Sequence, residues 1–95
     1  MPLHNLMEEI VRGCLKEWLH RQPDQADYDE AFQSDVMAIT LNNLPPKYVS
    51  TDRGEMIAKV QFRLQVETDV NRELSLAIHK LLNAPRKSIF EQKKD

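Results

Sequence analysis

Apolar residues Leu6, Ile10, Val11, Cys14, Leu15, Trp18 and Leu19 recur at three- and four-residue intervals, with Glu8, Glu9, Arg12, Lys16 and Glu17 between them. That spacing predicts an amphipathic helix from about Asn5 to Arg21. Asn5 suits its N-cap, and Glu8 stands three residues on, where a capping box places its acid. Gly13 costs such a helix about 1 kcal/mol relative to alanine, so it marks either the close approach of another helix or a tolerated weakness. Trp18 reads as an anchor in a core or an interface.

Gln22 to Asp29 is polar and turn-rich, a loop. Its acids Asp24, Asp27 and Asp29, with Glu30, lack the glycine and the final glutamate of a calcium loop and read as a solvated acidic stretch. A second helix is expected to begin near Glu30 to Gln33 and to run on through Asp35 to Asn43, with Val36, Ala38, Ile39, Leu41 and Leu44 as its apolar surface. Pro45 and Pro46 lack N–H donors and push Leu44 out of the helical region, so the helix must stop there. The loop after them packs Lys47, Tyr48, Ser50, Thr51, Asp52 and Arg53 close together, and Gly54 is expected to close the turn.

From about Glu55 to Asn83 the chain holds no glycine or proline and reads as helix. Its apolar residues are Met56, Ile57, Val60 and Leu64, then Val66, Val70, Leu74, Ala77, Ile78, Leu81 and Leu82. The phase slips between Leu64 and Val66. Either one helix buries two faces or a break falls near Glu67 to Asp69. Unbroken, it would span about 40 Å, longer than so small a domain covers, and a partner chain is the natural cover. Pro85 ends the helix, and Arg86, Lys87, Lys93 and Lys94 make residues 84–95 a basic tail, expected to fray beyond Phe90.

With 95 residues the chain is expected to be a single domain, residues 1–95, with a modest core that oligomerisation would support. A net charge of −2 argues against a protein that grips long nucleic acid by neutralising phosphates, though not against a small anionic ligand. The single cysteine excludes an intrachain disulfide and fits a reducing cytoplasm, the expected location. No apolar run is long enough for a membrane span, and no signal-peptide pattern opens the chain.

Candidate chemistry is sparse. No nucleophile elbow, P-loop, dinucleotide fingerprint or His-Glu metal motif is present, so an enzyme is not expected. Cys14 lies on the apolar stripe and reads as a small core residue. His79 has no second ligand at helical spacing, and His4 and His20 are far away in sequence, so no metal site is expected.

The run DVMAITLNNLPPKYVSTDRGE, with HNLMEEIV near the start and NAPRKS near the end, resembles the late-competence ComFB family of small bacterial proteins. The most specific part is Asp35 with Ala38, Leu41, Asn42, Leu44, Pro45, Pro46 and Tyr48. The resemblance implies an all-α homodimer, here intertwined around the long C-terminal helix. It also implies a family that includes cyclic-dinucleotide receptors, above all for cyclic di-GMP, which control motility, competence and surface behaviour. Many relatives carry a zinc-binding cysteine pair just ahead of the signature aspartate. Asp29 and Phe32 stand at what look like those positions here, so zinc is not expected, and Phe32 would fill the place by packing.

A cyclic dinucleotide wants cations for its phosphates, an arginine fork and a carboxylate for guanine edges, and a ring for stacking. Lys47, Tyr48, Asp52 and Arg53 supply one of each, and Arg63 and Arg86, with Lys87, could add charge if a dimer brings them near. Tyr48 has two open placements: a ring that stacks on the ligand, or a core-facing anchor whose hydroxyl caps a helix. Two functions remain open: a dimeric receptor signalling through a partner protein, with no cofactor beyond the regulatory nucleotide, or a ligand-free helical adaptor.

Overall fold

The computed structural model describes residues 3–23, 28–50 and 54–83, residues 54–58 as backbone only. Strand β1 (Leu3–Asn5) leads into helix α1 (Leu6–His20), helix α2 (Glu30–Asn42), strand β2 (Tyr48–Ser50) and helix α3 (Gly54–Leu82). The chain is mostly helical, as expected. The all-α expectation is corrected by a two-stranded antiparallel ribbon, in which Leu3, His4 and Asn5 face Ser50, Val49 and Tyr48. The expectations for Asp24 and Asp27, for Thr51 to Arg53 and for the basic tail lie outside the described residues.

The first helix forms where its stripe predicts, and Asn5 is its N-cap, accepting from the Met7 N–H at 3.1 Å. Leu6, Ile10, Val11, Cys14 and Leu15 are buried, together with Met7, while Trp18 is half-buried against the same core. Trp18 meets the Tyr28 ring edge-on at 5.1 Å, and Tyr28 in turn meets Phe32 at 5.2 Å. Phe32 thus packs at the edge of the core. Asp29 is the N-cap of α2, its carboxylate accepting from the Phe32 N–H at 2.9 Å. At the other end the Asn43 side chain donates to the Ile39 carbonyl at 2.9 Å, and the helix stops short of Pro45.

Gly54, expected to close a turn, is instead the first residue of α3, and that helix runs unbroken for 29 residues. The apparent phase slip disappears once its faces are sorted. Phe62, Val66, Val70, Leu74, Ala77, Ile78 and Leu81 form one inward stripe at intervals of three and four, whereas Val60 and Leu64 are exposed. Among the described residues, a Cβ at Gly13 would meet only the flexible Arg63 guanidinium, at an ordinary 3.7 Å, so no helix crossing there demands the glycine. Among the described residues no helix is long and apolar enough to cross a membrane.

Candidate functional site

The double proline delivers the chain to the N-terminus of α1. Having no N–H groups, Pro45 and Pro46 cannot donate, and Lys47 is the first residue after them that can. Its N–H donates to the Asn5 side-chain oxygen at 2.8 Å, and its carbonyl accepts from the Leu6 N–H at 2.6 Å. Strand alternation then sets the faces of β2. Val49 packs towards the core, while Tyr48 turns outward and is 64% exposed. The core-facing placement of Tyr48 is therefore excluded, and its ring is presented to solvent.

Lys47 is exposed as well, with its Nζ 5.2 Å from the centroid of the Phe62 ring, a cation–π contact that leans the side chain over α3. Beside it, an ion-pair relay fastens the ribbon to two helices. His4 Nε2 and Lys59 Nζ each lie 2.9 Å from one oxygen of the Glu9 carboxylate. The Lys59 hydrogen bond holds the Glu9 carboxyl below its ordinary range, with the neighbouring charges of Lys59 and His4 assisting against a smaller cost of burial.

Arg63 lies in the contact between α1 and α3. Its Nη2 donates to the Glu17 carboxylate at 3.0 Å and approaches the Cys14 sulfur at 3.9 Å. Glu17 raises the guanidinium's already high pKa, whereas burial pushes the Cys14 thiol up. Cys14 is thus a buried core residue with a suppressed thiolate. A phosphate arriving at Arg63 would have to compete with Glu17.

Of the six sequence candidates, Lys47 and Tyr48 are adjacent and exposed on the ribbon, and Arg63 is tied to α1. Asp52, Arg53 and Arg86 lie outside the described residues. Among the described residues, Asn5 and Phe62 contact Lys47, and Glu9 ties His4 of the ribbon to α1. Only the capping role of Asn5 was visible in local sequence, because its second bond reaches 42 residues along the chain. Among the described residues no group of three or more His, Cys, Asp or Glu side chains could hold a metal.

The family model described as "Late competence development protein ComFB" matches residues 4–85. No curated protein and no solved structure matches the chain. The matched span takes in both partners of the Asn5–Lys47 clasp, the double proline, the exposed Tyr48 and all of α3. The chain belongs to the ComFB family.

Proposed function

We propose that this protein is a cyclic-dinucleotide receptor, with cyclic di-GMP as its ligand, that acts in the cytoplasm as a homodimer and signals through a partner protein. One observation carries the reading: Tyr48, in a strand anchored to a helix N-terminus, holds its ring out to solvent beside the exposed Lys47. An exposed ring on a fixed backbone has a free face for a base, and stacking of that kind contributes about 1–3 kcal/mol per base. Lys47 supplies charge for a phosphate. Asp52 and Arg53, close behind β2 in sequence, would add a carboxylate and a guanidinium fork for guanine edges. Arg63, once released from Glu17, and Arg86 would add charge for the second phosphate where the dimer brings them near. On this reading the protein is a receptor and not an enzyme, and its output lies in motility, competence or surface behaviour.

The outer face of α3 supports the dimer. Val60, Leu64, Thr68, Asn71 and Ser75 succeed one another at helical spacing, all are exposed, and none carries a charge. A twofold axis brings like residues together, so a self-pairing face must avoid like charges. A ligand-free adaptor is the second reading. It is favoured by the same exposed pair, Val60 and Leu64, which a different protein could cover.

Calorimetric titration of the purified protein with cyclic di-GMP and cyclic di-AMP separates the two. Saturable heat with cyclic di-GMP is the expected result. Neither heat nor a shift in melting temperature at millimolar nucleotide would leave the adaptor reading in possession.

A further inference from the structure

We propose that Asn5 is the positioning residue of this corner, deciding through one side-chain oxygen which face of the ribbon Tyr48 occupies. The inference rests on the receptor reading for its consequence in binding, but its structural content is independent of any ligand.

A helix leaves its first four N–H groups without intrahelical partners. In α1 two of these are Leu6 and Met7, and they are satisfied in different ways: Met7 donates to the Asn5 Oδ1, and Leu6 donates to the Lys47 carbonyl. The same Oδ1 also accepts from the Lys47 N–H. One carboxamide oxygen therefore closes the helix end and holds the incoming strand. It does so at the first position after the double proline that has an N–H to give.

Pinning Lys47 fixes the register of the ribbon, with Asn5 opposite Tyr48 and His4 opposite Val49. A slip of one residue would invert the alternation, turning Tyr48 towards the core and Val49 towards solvent. Strands of three residues have little ladder of their own to prevent it. The Asn5 clasp supplies the missing constraint, and the exposed ring is its result.

Two substitutions separate the clasp from the cap. Asn5→Asp keeps an acceptor oxygen at the same reach. Asn5→Ser keeps a good N-cap, but its oxygen is one bond closer to the backbone and gives up the Lys47 N–H. Amide hydrogen exchange by NMR, melting temperature and calorimetric titration with cyclic di-GMP would be measured on the full chain of each. The Asn5→Ser protein is expected to melt close to the wild type while its Lys47 to Ser50 amides exchange roughly tenfold faster and its affinity falls by a similar factor. Asn5→Asp is expected to retain both. Wild-type exchange and affinity in Asn5→Ser would overturn the inference and reduce Asn5 to a helix cap. Faster exchange in Asn5→Ser, with no nucleotide bound even by the wild type, would uphold the positioning role and remove the receptor reading instead.

Discussion

Along its C-terminal half α3 buries Val70, Leu74, Ala77 and Ile78 against α1 and α2, whereas from Lys59 to Gln65 it buries no side chain. That first stretch is held by two ion pairs to α1, Lys59 on Glu9 and Arg63 on Glu17, and by the half-buried Phe62 alone among its apolar side chains. It leaves Val60 61% and Leu64 73% exposed. The difference is one of kind, since apolar burial contributes about 25 cal/mol per Å² and surface ion pairs contribute about 0–1 kcal/mol each. The C-terminal half therefore makes the fold. The stretch from Lys59 to Gln65, with the ribbon beside it, is held in place more lightly.

The largest expected effect tests the first half of that statement. Leu74→Ala should cost about 2–5 kcal/mol in denaturant unfolding, because it removes a buried side chain from the core that also holds Val70, Ala77 and Ile78. A loss below about 1 kcal/mol would place the stabilising core elsewhere.

The contrasting substitutions are Tyr48 in β2 and Arg53, which follows that strand in sequence. Arg53→Ala should weaken cyclic di-GMP binding by roughly 1.5–3 kcal/mol, about ten- to a hundredfold, with the ligand-free melting temperature hardly moved. Tyr48→Ala should behave in the same way, since an exposed ring stabilises little. Stability lost together with affinity in Tyr48→Ala would show that the ring packs in solution. Wild-type binding by Arg53→Ala would move the search to Arg63, Arg86 and Lys87.

How much of this was legible beforehand depends on the range of the interactions. The α1 stripe, the Asn5 cap and the stop at Pro45 depend on residues within one or two turns of each other, and each was readable. The ribbon was not, because three-residue strands carry almost no periodic signal and their pairing joins Leu3 to Ser50. Arg63 read as a free cation because its carboxylate partner, Glu17, is 46 residues away. The phase slip in α3, open to two buried faces or a break, arises from counting Val60 and Leu64 with the core, when Phe62 holds the inward position and those two face out. Local sequence gives an apolar residue the same appearance whether a chain's own core or another molecule covers it.

That ambiguity makes Leu64 the sharpest test of the surface half. Leu64→Glu should leave helicity and unfolding nearly unchanged, because the side chain is mostly exposed in the single chain. In a twofold pairing of α3 it would set two carboxylates near one another and weaken the dimer at least tenfold or so, which sedimentation equilibrium would read as a shift towards the 11.1 kDa chain mass. A wild type that is monomeric at micromolar concentration would remove the dimer altogether. An unperturbed dimer in Leu64→Glu would place the interface on another face.

The smallest effect concerns the charges that hold the ribbon end. Glu9 is bonded to Lys59 and His4, and its folded-state pKa lies below the ordinary value of 4.5. A depressed carboxylate pKa contributes stability that is fully present above the unfolded value and is lost as pH falls through the folded one. Acidification below about pH 4.5 should therefore loosen the ribbon end before the core of Val70 and Leu74 responds. Because the Glu9 side chain is 41% exposed, the contribution is screened and amounts to roughly a few tenths of a kcal/mol. Glu9→Gln should remove that part of the acid dependence. The readout is local: exchange of the Tyr48 to Ser50 amides should accelerate with acidification, beyond the intrinsic pH dependence of exchange, in the wild type and be nearly flat in Glu9→Gln. Identical profiles in the two proteins would show that hydrogen bonding through Asn5 and Lys47, rather than the Glu9 relay, holds the ribbon to the helices.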